Sequence, residues 1–272
     1  MTLVSTAALL DAQRAVLAFN VIQLEHGEAI LRGAELAGRG VILQVSENAA
    51  RYHGGLAPIG LASLELAREA GIATAVHLDH AEDETLVEEA VRLGFTSVMF
   101  DAATLPDEEN RDRTAAVARS AQAQGVWVEA ELGAIGGKGG AHTPGVRTDP
   151  GEAAAFVAGT GVDGLAVAVG SSHAMTSRSA TLDFGLIREL AAAVPVPLVL
   201  HGSSGVSDED LVRAVDAGMR KINISTHING VFTRAVRERL DADPSLVDPR
   251  KYLGPARDAV AAEVARLLTL VA

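Results

Sequence analysis

Cysteine is absent from this chain of 272 residues. Disulfides, thiolate catalysis and cysteine-ligated metals are therefore excluded, and the absence fits a reducing compartment. Lysine is scarce as well: only Lys138, Lys221 and Lys251 occur. Aromatics make up 3% of the chain, so the core must be aliphatic. Positive charge is outweighed, 23 Lys+Arg against 35 Asp+Glu for a net charge of -12. That balance argues against nucleic acid or an anionic membrane as a partner, since both select a basic surface. No apolar run approaches the roughly 20 residues that span a bilayer. Met1 to Arg14 has no basic flank before its short apolar stretch and meets Asp11 early. A signal peptide is therefore not expected, and the reading is a cytoplasmic chain.

The chain does hold eight short, nearly continuous apolar runs. They are Ala15–Val21, Gly40–Val45, Ile72–Leu78, Thr96–Phe100, Val126–Leu132, Val162–Val169, Val196–Leu200 and Lys221–Ser225. Runs of this kind are expected of parallel strands buried on both faces. Between them lie helical segments such as Glu82–Leu93 and Asp208–Gly218, and Pro255 to Ala272 reads as a final helix. Gly71, Gly94, Gly125 and Gly218 stand where left-handed helix caps are expected. Eight strand–helix units over residues 1–272 predict an α/β fold, one (β/α)8 TIM barrel domain with its active site at the C-terminal ends of the strands. The long Gly-rich stretch Gly133–Gly145 follows the fifth strand and reads as an active-site loop.

The polar residues collect at those strand ends. Asn20 ends the first run, Gln44 and Ser46 the second, His77-Leu78-Asp79-His80 the third and Asp101 the fourth. Glu129 and Glu131 share one face of the fifth. His80, His173 and His201 end three different strands, and three converging imidazoles make an open, catalytic zinc site. The alternative for each is a hydrogen-bonded loop histidine. His77 reads as structural, as do His26, His53 and His227. Gly202-Ser203-Ser204-Gly205 after the seventh strand and Asn223-Ile224-Ser225-Thr226 after the eighth form a phosphate site where this fold commonly has one. For the first of these, a simple tight turn is the competing reading.

These motifs resemble the class II, metal-dependent ketose-bisphosphate aldolases, over most of the chain from Ala18-Phe19-Asn20 onward. His77-Leu78-Asp79-His80 is similar to the family's HLDH signature. Gly170-Ser171-Ser172-His173 and Leu200-His201-Gly202-Ser203-Ser204-Gly205 resemble its other ligand motifs. The resemblance implies a zinc-dependent carbon–carbon lyase of carbohydrate metabolism, as in glycolysis. It would cleave fructose or tagatose bisphosphate to dihydroxyacetone phosphate and an aldehyde. It implies Zn2+ on His80, His173 and His201, with an alternative metal position at Asp101 and Glu131, and a monovalent cation as a further cofactor. Asp79 is then the catalytic acid. Asn20, Ala174, Gly202, Ser203, Ser204, Asn223, Ile224, Ser225 and Thr226 are the substrate and phosphate residues. The family also implies a homo-oligomer, dimer or tetramer.

The chain departs from the family in three places. No Asp or Glu occurs from Gly133 to Thr148, Ala174 replaces a Gly, and Ala103 replaces a Ser. The loop's proton-transfer role then passes to His142 or a metal-bound water. The competing functions are a sugar-phosphate binder without turnover, an aldolase for another phosphorylated keto sugar, a metal hydrolase and a Schiff-base aldolase. A hydrolase would carry His-x-His where Ala18-Phe19-Asn20 stands. For a Schiff base, Lys138 lies in the loop, Lys251 in the tail, and Lys221 is expected at the wrong end of its strand.

Overall fold

The computed structural model describes residues 2–132, 147–172, 175 and 177–272. The elements run α1 Thr6–Ala12, β1 Val16–Asn20, α2 Leu24–Ala37, β2 Val41–Ser46, α3 Glu47–Tyr52, α4 Leu56–Glu69, β3 Thr74–Ala81, α5 Glu84–Leu93, β4 Ser97–Phe100 and α6 Asp107–Gln122. They continue β5 Trp127–Glu131, α7 Pro150–Thr160, β6 Gly164–Ala166, α8 Phe184–Ala193, β7 Leu198–Leu200, α9 Asp208–Ala217, β8 Met219–Ile224, α10 Thr226–Ala242 and α11 Arg250–Leu270. The eight strands are parallel and close in sequence order. Val16 to Phe19 of β1 register against Lys221 to Ile224 of β8 to complete the ring.

Two apolar layers hold the barrel. The larger lies between the strands and the surrounding helices. The smaller fills the inside of the barrel with Val16, Ala18, Ile42, Ala75, Trp127, Ala166, Ala168 and Val199. Leu9 and Leu10 of α1 join that inner cluster and plug the N-terminal end. Gly164 makes room for the one tryptophan, because a Cβ there would stand 2.4 Å from the Trp127 ring.

Side chains alternate along a strand, so each inner apolar residue fixes what lies above it. Ala18 leads to Asn20, Ile42 to Gln44, Ala75 to His77 and Asp79, Trp127 to Glu129 and Glu131, and Val199 to His201. These polar residues are all buried. Burial without partners would cost several kcal/mol each, of order 2–7, so where their hydrogen bonds go becomes the main question.

Four sequence expectations change. The sixth run forms a strand only over Gly164–Ala166, because Ala168 trades its N–H and C=O with Thr148 Oγ1 and N instead of a neighbouring strand. The last helix starts at Arg250 rather than Pro255, and that proline is absorbed inside it while Ala256, Val260 and Val264 are buried. Gly71 is not a left-handed cap, since α4 ends on Ala70 in an extended conformation. β8 begins at Met219, which puts Lys221 inside the strand with its side chain in the barrel. Arg220 takes the outward position and donates to the Leu10 carbonyl of α1 and to the Gln13 and Arg14 carbonyls beyond that helix.

Candidate active site

The end of β3 departs from simple alternation. His77 and Asp79 point inward, so the pleat would send His80 outward. Instead, the β3–β4 register shifts between Leu78 and Ala81, and His80 takes φ 50. It is the one non-glycine with positive φ among the described residues. The conformation costs of order 1–3 kcal/mol and is the kind of strain that collects at working sites. Its effect here is to bring two consecutive side chains, Asp79 and His80, to the same cavity.

Asp79 is held from one side. Gln44 Nε2 donates to Asn20 Oδ1 at 2.8 Å, and Asn20 Nδ2 donates to Asp79 Oδ2 at 2.9 Å. Asp79 Oδ1 is buried with no hydrogen-bond partner among the described residues. Burial pushes the Asp79 carboxyl up. The charges of His80, His201 and Lys221 and the Asn20 hydrogen bond outweigh it and hold the group below its ordinary value. The side chain is thus an oriented carboxylate on a residue that lines the cavity, with its second oxygen making no hydrogen bond among the described residues.

Beside it, the His80 and His201 rings meet edge to face, their centroids 4.7 Å apart. Each is backed by a carboxylate. His80 Nδ1 lies 2.7 Å from Asp101 Oδ2, and His201 Nε2 lies 2.8 Å from Glu129 Oε1. An ionised carboxylate only accepts hydrogen bonds, so these contacts assign the protons to His80 Nδ1 and His201 Nε2. The other two nitrogens, His80 Nε2 and His201 Nδ1, face each other at 3.0 Å. Two lone pairs at that distance require a cation between them, a proton or a metal. Nitrogens sharing one tetrahedral zinc lie about 3.3 Å apart, from Zn–N bonds of about 2.0–2.1 Å, so the pair fits a metal within a few tenths of an ångström. Glu131 completes a cluster whose ligand atoms all lie within 4.8 Å of one another. Carboxylate-backed imidazoles are the usual support of metal ligands.

The electrostatics agree. Burial lowers His80, but Asp79, Asp101 and Glu131 outweigh it and raise the ring to about 9. Burial, His80 and Lys221 hold His201 well below its ordinary value. One ring of the pair is made to carry positive charge and its neighbour to accept from it.

The cavity is lined by Gly202, Ser204, Asn223, Ser225 and Thr226, expected from the sequence to hold a phosphate, together with Asn20, Gln44, Ser46, Asp79 and His80. The Ser225 side chain does not cap α10, and Ser204 Oγ instead accepts from the His227 N–H at 3.1 Å. The positive end of this helix stands beside the cavity, where an anion is favoured. Gly202 has φ 65, and a Cβ there would stand 2.5–2.8 Å from the backbone of Ser172. Gly202→Ala is therefore expected to lower stability by about 1–3 kcal/mol and to raise KM for phosphorylated substrates. Thermal unfolding and steady-state kinetics check both.

Two expected phosphate residues do not line the cavity. Ser203 is buried and its hydroxyl donates to the Asn223 carbonyl, and Ile224 packs in the outer core. Each can offer a ligand only its backbone. Asp101 has one oxygen on His80 and the other accepting from the Ala103 N–H at 3.3 Å. His173, Ala174 and His142 lie outside the described residues. The structural roles expected for other histidines hold. His77 Nδ1 contacts Ser97 Oγ, His53 Nε2 contacts the Ile22 carbonyl, and His227 pairs with Glu263. Sequence reasoning gave Gln44 and Ser46 no role and dismissed Lys221. The signal that finds Gln44 and Lys221 is the two-residue repeat of inward positions.

Comparison with known proteins gives one consistent answer. A sequence model described as fructose-bisphosphate aldolase class-II matches residues 4–272. The fructose-bisphosphate aldolase of Geobacillus stearothermophilus is 41% identical over 272 residues, covering 97% of this chain and 95% of its own. That of Staphylococcus epidermidis strain RP62A is 41% identical over 259 residues, covering 93% and 91%. Among solved structures, the YdjI aldolase from Escherichia coli K12 superposes with a TM-score of 0.84 at 30% identity, over 97% of this chain and 94% of that one.

Proposed function

This chain belongs to the class-II fructose-bisphosphate aldolase family, and from that premise we propose how its own residues cleave a phosphorylated ketose. It is an aldolase, a lyase that breaks a carbon–carbon bond in a bisphosphorylated ketose, and it is metal-dependent. We assign the metal to zinc, held by His80 and His201 with His173 as third ligand. Asp101 and Glu131 serve as an alternative position. The observation that carries this reading is the facing pair of imidazole nitrogens, 3.0 Å apart and each backed by a carboxylate. When bound, the zinc supplies Lewis acidity for the negative charge that develops as the carbon–carbon bond breaks, worth several kcal/mol.

The protein's residues do the rest. Gly202, Ser204, Ser225, Thr226 and the backbone of Ser203 and Ile224 bind the phosphate nearest the ketone. A monovalent cation beside that phosphate is a second cofactor on our reading. Asn223 and Asn20 face the substrate from β8 and β1. Asp79 Oδ1 takes the proton from the hydroxyl that becomes the aldehyde and returns it in the reverse direction. Gln44 and Asn20 keep Asp79 aimed by occupying its other oxygen. His142 is assigned the remaining proton transfer, in place of the carboxylate the loop lacks. Residues 1–272 act as one domain, in a homo-oligomer and in the cytoplasm. No helix of the described residues is long and apolar enough to cross a membrane.

A turnover screen of zinc-loaded protein against fructose and tagatose bisphosphates and deoxyketogluconate phosphate tests the reading. Cleavage of at least one, lost with EDTA and restored by zinc, is the expected result. Cleavage that survives chelation and is trapped by borohydride would point to a lysine instead. Binding of all three without turnover would leave only a sugar-phosphate receptor.

A further inference from the structure

Beneath the two histidines lies a buried ion pair that the mechanism does not use. Lys221 Nζ is 2.8 Å from Glu129 Oε2, and both side chains are fully buried. Burying such a pair is weak support for stability, because apolar replacement of both partners is often neutral or stabilising. Its contacts point to another role. Glu129 Oε1 takes the proton of His201 Nε2 at 2.8 Å. Lys221 Nζ donates to Asn223 Oδ1 at 2.8 Å. That contact also fixes which end of the Asn223 amide is which, since an ammonium can only donate.

Thr6 Oγ1 donates to Ser97 Oγ at 2.8 Å, and Ser97 Oγ lies 2.9 Å from His77 Nδ1. His77 Nε2 lies 3.9 Å from Glu129 Oε2. Lys221 Nζ and His201 Nε2 each stand 2.8 Å from an oxygen of the Glu129 carboxylate, and an ionised carboxylate only accepts, so His201 Nε2 is the donor. Asn223 Nδ2, 3.1 Å from His201 Nε2, meets a nitrogen whose proton is directed at Glu129. Asn223 also lines the cavity, so the orientation of its amide sets what it presents there.

We propose that Lys221 and Glu129 form a positioning unit for both halves of the site. Glu129 fixes the His201 tautomer that turns Nδ1 toward the metal, and Lys221 fixes the Asn223 amide that faces the substrate. The inference rests on the reading of His201 as a metal ligand.

The test uses the full chain and the variant K221M/E129L, in which both charges are replaced by apolar groups so that neither is left unpaired. In the metal-free wild type, 15N spectra of His201 are expected to show the proton on Nε2 alone. In the variant, both tautomers are expected. Zinc affinity, measured by chelator competition without reference to turnover, should weaken about 10–100-fold, the usual effect of losing a residue that supports a ligand. KM for the phosphorylated ketose should rise in zinc-saturated variant because Asn223 is released. A wild-type proton on Nδ1 overturns the proposal even if the variant does not fold. So does a folded variant with wild-type tautomer and zinc affinity. Wild type that fails to bind zinc would instead overturn the metal reading beneath it, and the proposal with it.

Discussion

His80→Ala is expected to yield folded protein that no longer holds zinc tightly and turns over at least about a thousandfold more slowly. Losing several kcal/mol of Lewis-acid stabilisation corresponds to about that factor. The fold should survive because the ring stands at the mouth of the barrel, its side chain 15% exposed, and not in either apolar layer. A φ of 50 is strained for alanine as it is for histidine, so the substitution is aimed at the imidazole and not at easing the backbone. Asp101 loses its imidazole donor but keeps the Ala103 amide. Chelator competition and steady-state turnover give the two readouts, with circular dichroism to show the fold. A variant that binds zinc as tightly as the wild type would remove His80 from the ligand set.

The barrel was legible because the strands are short, nearly continuous apolar runs buried on both faces, whose polar residues gather toward one end. The site was legible where it continues that pattern upward. Asn20, Asp79, Glu131 and His201 each follow an inner apolar residue at a spacing of two or four. The inward turn of His80 was not legible from periodicity, because a left-handed backbone at a histidine follows from the bulge and not from residue type. His80 was singled out by its place at a strand end beside two other strand-end histidines, and by the resemblance of the HLDH stretch. Lys221 was misplaced because the apolar run was started at the lysine itself. Met219 and Arg220 belong to the strand, and their inclusion moves Lys221 from the rim into the interior. Ser203 and Ile224 were assigned to the phosphate because loop composition does not say which side chains turn inward. One hydroxyl is taken by the Asn223 carbonyl, and the other side chain is claimed by the core.

Asp79→Asn should behave oppositely to the ligand variant, with kcat lowered about 10²–10⁴-fold, as expected for loss of a general acid–base, and metal content unchanged. The substitution is nearly isosteric, and the asparagine carbonyl can still accept from Asn20 Nδ2, so the Gln44–Asn20 support is retained. What disappears is the basic oxygen that has no partner among the described residues. The wild-type carboxyl is held below its ordinary value, burial being outweighed by His80, His201, Lys221 and Asn20. It is therefore in its base form at neutral pH, as cleavage requires. Proton transfer at the hydroxyl develops in the transition state, so kcat should fall far more than KM rises. Equal losses of zinc and of kcat would mean that Asp79 holds the metal, and the proton would then need another carrier.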